Sequence, residues 1–214
     1  MIWNDRNQGI MGKNRMNESR IMRDAKIYVE SFITNIEAKG YVHVLTINPR
    51  WSPPPVGLYK INVNGSWREY KCIGGLGCVL RDVNGCFMAG FLKGNTRAVE
   101  VVVCEVLAAR DALVFTLDIG LSKVVLEMDC SVVINVIKYS DRELLELGRI
   151  CADIKRLGQR LQHFEVQHVL RSCNKIDHVL AKKALDFSNI FVWMEEAHDD
   201  IVHLLLADCS SVVS

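Results

Sequence analysis

The chain has 214 residues, half of them hydrophobic and 24% charged, with a formal net charge of +1 at neutral pH. This is too apolar for a disordered tail and long enough for one domain with a core plus a small appendage. A charge this near zero supplies no global positive field that would by itself mark a nucleic-acid binder, so any such partner must be argued locally.

Residues 1–50 carry eight Lys/Arg against five Asp/Glu, which leaves the remainder of the chain slightly acidic. The opening MIWNDRNQGIMGKN lacks the apolar core and small-residue cleavage site of a secretory signal. Further on, Ile21, Met22, Ala25, Tyr28, Val29, Phe32, Ile33 and Ile36 recur at three- and four-residue steps, with Lys39-Gly40 as a stop. An amphipathic N-terminal helix is predicted, able to pack on the domain or to dock a partner. All four prolines fall within NPRWSPPPVG, residues 48–57. A run of this kind favours extended geometry and ends any helix before it. The predicted organisation is therefore an extension and linker over 1–50, a main domain over 51–190 and a tail over 191–214.

After the prolines, Leu58 to Val63 reads as a strand closed by Asn64-Gly65, and Gly74–Arg81 and Cys86–Leu92 read as two more, joined by Asp82-Val-Asn-Gly85. Val99–Leu117 is too long and too rich in Ala and Leu for a strand and ends before Gly120, so a helix is predicted. Then follow a β-branched strand over Lys123–Asp129, helices over Cys130–Lys138 and Glu143–Leu161, a strand over His163–Arg171 and a helix over Ile176–Phe187. The order βββ-α-β-α-α-β-α implies an α/β fold. Its five-stranded mixed sheet has an antiparallel half of three strands, then parallel additions with helices on its faces. No apolar run approaches the roughly 20 residues of a membrane-spanning helix. The eight cysteines form no CxxC pair and no zinc-spaced cluster and lie mostly in apolar stretches, as reduced, buried thiols do. A soluble intracellular protein is expected, with no membrane contact and with nucleus and cytoplasm left open.

Several polar residues stand where the pattern asks for something else. Glu105 has Val101, Ala108, Ala109 and Ala112 as its helical neighbours, so it is either turned outward or buried and then neutral or paired. Asp129 ends a strand, but aspartate directly before CSVVINVIK also suits a helix N-cap. Asn64-Gly65 suits an ordinary tight turn. Asp177-His178 opens a helix, where the dipole favours an acid. Taken singly, the structural reading leads for the last three. Together, these side chains can meet at the carboxyl ends of adjacent central strands, where open α/β sheets place their sites. Clustered carboxylates there repel unless cations neutralise them, which points to a hard divalent metal with oxygen ligands.

The same residues carry a resemblance. The segments WSPPPVGLYKINVNGS, GGLGCVLRDVNGCFMAG, VCEVLAARDAL, KVVLEMDC and HVLRSCNKIDHVLAKKA, in that order over about residues 51–190, resemble the plant reverse-transcriptase-like RNase H domain family. That family's pattern runs WxPPPxGxxKxNxDGA, GGxGxVxRDxxG, AExxAxxxAL, ExDS and HVxRxxNxxAHxLA. MIWNDRN resembles the segment that precedes this domain in retroelement-like plant proteins, and VWMEEAHDDIVHLLLADCSS resembles the family's C-terminus. The resemblance implies an RNase H-like fold and hydrolysis of the RNA strand of an RNA–DNA hybrid with two Mg²⁺ (or Mn²⁺) ions, which steady the attacking and leaving oxygens.

Carried over position by position, Asn64 takes the first metal-ligand aspartate position, Glu105 the glutamate, Asp129 the second aspartate and His178 the last Asp/His position. Asn64, Glu105 and Asp129 are then the metal ligands, and His178 assists proton transfer or product departure. Gly65 and Ser66 permit close approach of a nucleic-acid backbone, and Arg171 and Asn174 are further candidate nucleic-acid contacts. Asn64 departs from the pattern: an amide replaces a carboxylate, so one formal negative charge is missing. Losing even an indirect partner of a metal costs roughly 10–100-fold in affinity or activity. Asp177 stands where the pattern prefers alanine and is a candidate compensating acid, although adjacent helical positions point about 100° apart. The expectation is a hybrid endoribonuclease impaired by Asn64. The alternatives are a non-catalytic RNA or hybrid binder and a protein-interaction module on a degenerate nuclease fold.

Overall fold

The structure is a computed structural model, and it describes residues 50–98, 100–139 and 146–209. The amphipathic helix predicted over 21–36 lies outside the described residues. Among the described residues, six strands and five helices follow in the order β1 (Tyr59–Arg68), β2 (Ile73–Arg81), β3 (Phe87–Arg97), α1 (Val101–Asp118), β4 (Lys123–Met128), α2 (Ser131–Tyr139), α3 (Glu146–Gly158), β5 (His163–His168), α4 (Lys175–Ala184), β6 (Ile190–Met194) and α5 (Asp199–Cys209). Two short 3₁₀ turns, Glu69–Lys71 and Arg171–Cys173, complete the path.

The sheet order is β5-β4-β1-β2-β3-β6. β2, β3 and β6 run antiparallel to their neighbours, whereas β4 and β5 add in parallel on the other side of β1. The expected mixed sheet is present, with one strand more than the five predicted. β6 straddles the expected boundary at residue 190 and pairs with β3 from Ala89↔Met194 to Lys93↔Ile190. Only five residues long, it follows a helix and carries too short a pattern to stand out in the sequence.

Alternation along the strands divides the core in two. Ile61 and Val63 of β1, Leu76, Cys78 and Leu80 of β2, Phe91 of β3 and Val124, Leu126 and Met128 of β4 pack with α1, α2 and α3 in one apolar cluster. Phe91 meets Phe115 of α1 edge to face, with ring centroids 5.7 Å apart. Val79 and Leu92 pack against Ile176, Leu180 and Ala184 of α4 and Ile201 and Leu205 of α5 in a second, smaller cluster. α4 lies directly on β2, because a Cβ at Gly77 would sit 2.4 Å from the Asp177 carbonyl oxygen. The Asp82–Gly85 turn is as expected: Gly85 has φ +79°, and the Asp82 side chain accepts the Asn84 and Cys86 amides.

Two readings of the sequence are corrected. Asn64-Gly65 is not a turn: β1 continues to Arg68, with Asn64 opposite Gly77 and Gly65 opposite Leu76. The local dipeptide preference yields to pairing with a whole neighbouring strand. The cysteines are not uniformly buried: Cys72 and Cys86 are exposed, whereas Cys78, Cys104, Cys151 and Cys173 are buried. Among the described residues, no helix is long and apolar enough to cross a membrane.

Candidate active site

Register brings the site together. In the parallel pair, Asn62 lies opposite Glu127, after which the β1–β4 pairing stops. Two residues further on, where side chains return to the same face, Asn64 and Asp129 meet at the carboxyl end of the sheet. The Asn64 amide Nδ2 donates to Asp129 Oδ1 at 3.0 Å. Its Oδ1 lies 3.2 Å from His178 Nδ1, at the start of α4. The chain of contacts continues outward, since the Arg171 guanidinium stands 3.1 Å from His178 Nε2. Burial, and then the nearby Arg171 charge, hold the His178 imidazole below its ordinary pKa.

Glu105 reaches the same place from α1. A Cβ at Gly65 would lie 2.4 Å from the backbone of Cys104 and Glu105, so only glycine allows α1 this close to β1. The Glu105 carboxyl accepts the Gly65 N–H, while its Oε2 is buried without a hydrogen-bond partner. Burial, reinforced by the charge of Asp129, raises the Glu105 carboxyl well above the usual range.

Asp129 is free for this role because the residue after it caps the helix. The Ile134 amide donates to the Cys130 carbonyl, which makes Cys130 the N-cap of α2, and the Cys130 sulfur receives the amides of Val132 and Val133. Burial and the neighbouring Glu105 push the Cys130 thiol up to about 12, so it sits there as a neutral acceptor.

The structure thus gathers Asn64, Glu105, Asp129 and His178, with Gly65 making the approach and Ser66 next along β1. Asn174 does not face a ligand. It is fully buried, with Nδ2 donating to the Val63 carbonyl at 2.8 Å and Oδ1 accepting from Asn62 at 3.2 Å. Asp177 is also buried beneath α4, and neither carboxyl oxygen has a hydrogen-bond partner. Burial lifts its pKa to about 8 against the pull of Arg81, so it is no ready substitute for an anion at Asn64. Among the described residues, no group of three or more His, Cys, Asp or Glu side chains is arranged to hold a metal ion.

One functional layer went unread in the sequence. Lys60, Asn62, Asn64 and Ser66 alternate with Ile61 and Val63, and all four polar members are buried. That two-residue polar period was the available signal: a strand with both faces covered does not carry four polar residues in register unless they are partnered.

A family model for reverse transcriptase-like domains matches residues 62–184. The chain belongs to this family. No curated protein matches the sequence. Among solved structures, the reverse transcriptase-like domain is similar to RNase H1 from Halobacterium salinarum, at 24% identity and a TM-score of 0.55 over 61% of this chain and 98% of that one. It is likewise similar to the N-terminal RNase H domain of a Mycobacterium tuberculosis protein, at 19% identity and a TM-score of 0.55 over 60% and 94% of the two chains. A third match is LC11-RNase H1 in complex with an RNA/DNA hybrid, at 21% identity and a TM-score of 0.51 over 60% and 96%. The fold is therefore RNase H-like, a helix-flanked mixed sheet.

Proposed function

We propose that this reverse transcriptase-like domain binds RNA–DNA hybrids and that its capacity to cleave the RNA strand is impaired by Asn64. The hybrid as ligand is taken from the fold's solved relative, LC11-RNase H1 in complex with an RNA/DNA hybrid. The impairment rests on one observation: the Asn64 amide is already committed on both sides, donating to Asp129 and facing His178.

The residues present do not fit the two-ion set that the resemblance implies. Among the described residues Glu105 and Asp129 are the acids brought to the rim, and an amide nitrogen has no lone pair to offer a cation. The Asn64 N–H takes the place beside Asp129 Oδ1 that a positive ion would occupy. Mg²⁺ or Mn²⁺ therefore meets a weakened site, and no hydrolytic step is assigned to the natural chain. The Glu105 Oε2 without a partner and the close approach at Gly65 are what remain for a restored site. Arg171 is exposed and next to His178, which supports it as a donor to a phosphate or 2′-hydroxyl of the hybrid.

The test is cleavage and binding of a labelled RNA–DNA hybrid in Mg²⁺ or Mn²⁺ by the natural chain, Asn64→Asp and Asn64→Asp/Glu105→Gln. The natural chain binds with a clear salt slope and cuts weakly or not at all. Asn64→Asp raises turnover by at least about tenfold, and Glu105→Gln abolishes the gain. Absence of hybrid binding by the natural chain overturns the proposal.

A further inference from the structure

One pleat below the rim, a second set of polar side chains is buried and fully connected. Its centre is Asn62, wholly inaccessible to solvent. Asn62 Oδ1 accepts from Trp51 Nε1 and from an Arg81 guanidinium nitrogen, each at 3.0 Å. Asn62 Nδ2 donates to Glu127 Oε2 at 2.9 Å and to Asn174 Oδ1 at 3.2 Å. An amide has two donor hydrogens and two acceptor lone pairs, and here all four are used. The Arg81 guanidinium lies 3.3 Å from the centre of the Trp51 ring, and Lys60 pairs with Glu127 Oε1 at 2.8 Å while donating to the Ser52 carbonyl.

The spacing between this layer and the rim is regular. Asn62 precedes Asn64 by two residues on β1, and Glu127 precedes Asp129 by two residues at the end of β4. Asn174 precedes His178 by four residues at the head of α4, where the His178 amide donates to the Asn174 carbonyl. Two residues return a strand to the same face, and four return a helix to the same side. Each rim residue on these three elements therefore stands one structural repeat from a member of the buried layer. At the rim, the Asn64 side chain touches Asp129 and His178.

We infer that Asn62, together with Trp51, Glu127 and Asn174, is a positioning group that fixes β1, β4 and α4 relative to one another and thereby sets the Asn64–Asp129–His178 geometry. The proline-rich strap at 51–55 belongs to this support rather than to a passive linker, because Trp51 and Ser52 both bond into it. With the Asn62 amide saturated at its centre, the network holds a single arrangement, since any shift of one element leaves a buried polar group without its partner. This inference concerns the support of the rim and stands whether or not the rim engages a hybrid.

The test follows the Asn64 side-chain amide by nitrogen–proton NMR on the full chain, its signal assigned by its loss in Asn64→Asp. Asn174→Ala cuts the link from β1 to α4, and Trp51→Phe removes the indole N–H while keeping an aromatic ring. Ile154→Val, in α3 on the far side of the sheet, serves as a control that lowers stability without touching the network. In either network variant the Asn64 amide protons exchange with water at least about tenfold faster than in the control, the mark of a locally opened hydrogen bond. If Asn174→Ala does not fold, Trp51→Phe decides by the same comparison. An Asn64 signal and exchange rate indistinguishable from the control overturns the inference.

Discussion

The rim and the layer beneath it are built on the same strands and the same helix, from the same kinds of side chain, yet they differ in completeness. Around Asn62 the partners are matched almost throughout, with Arg81 Nε the one orphan. At the rim, Glu105 Oε2 is buried with no partner, and the Asn64 amide donates to Asp129. A matched network rigidifies, whereas an unmatched buried acid costs stability that only a ligand, a cation or a proton offsets. The matched layer holds the fold together, and the rim is where a polar group is left over.

The largest break in this comparison is expected from Lys60→Met. Lys60 and Glu127 form an almost fully buried ion pair, and removing one partner leaves the other charge uncompensated. Urea unfolding of this variant should show a loss of about 3–5 kcal/mol.

A gain is expected from Asp177→Ala, which removes a buried carboxyl with no hydrogen bonds and restores the residue that the family pattern prefers. The expected stabilisation is about 1–3 kcal/mol. Its pH dependence has a definite sign. The Asp177 pKa is raised from 3.8 to about 8, so between those values the folded chain holds a proton that the unfolded chain has released. Stability of the natural chain therefore falls as pH rises through that window. Thermal melts across it should show the advantage of Asp177→Ala growing toward the alkaline end.

A smaller effect sharpens the rim side. In the presence of a chelator, Asn64→Asp loses the hydrogen bond to Asp129 and sets two carboxylates face to face, costing about 1 kcal/mol. Adding Mg²⁺ or Mn²⁺ should raise the melting temperature of this variant but not of the natural chain, because only the variant offers three acids to a cation. Equal shifts in both would contradict the poor metal fit of the natural site. The smallest effect is that of Glu105→Gln alone: the amide keeps the shape of a side chain whose Oε2 has no hydrogen-bond partner to lose, and stability changes by less than about 1 kcal/mol.

Periodicity and turn chemistry were enough for most of the architecture. The antiparallel start, the long apolar α1, the β-branched β4 and the turn at Asp82–Gly85 all have local causes that the chain states within a dozen residues. The ordered motifs likewise pointed to Asn64, Glu105, Asp129 and His178 before any geometry was at hand. The reading failed where a local preference met a longer-range partner. Asn64-Gly65 prefers a turn by itself but lies within a strand because β2 pairs along its whole length. Asn174 read as a candidate nucleic-acid contact, and its side chain is buried as a tie between β1 and the head of α4.

What the sequence determined by itself was therefore the type and order of most of the elements, because each follows from the identity and spacing of neighbouring residues. Only the tertiary structure decided that Asn62 joins four distant segments, that Cys130 rather than Asp129 caps α2, and that Asp177 is buried away from the rim. Those outcomes depend on strand register and on which helix closes over which face, and both are settled by contacts between residues more than 100 positions apart, such as Asn62 with Asn174 and Asn64 with His178.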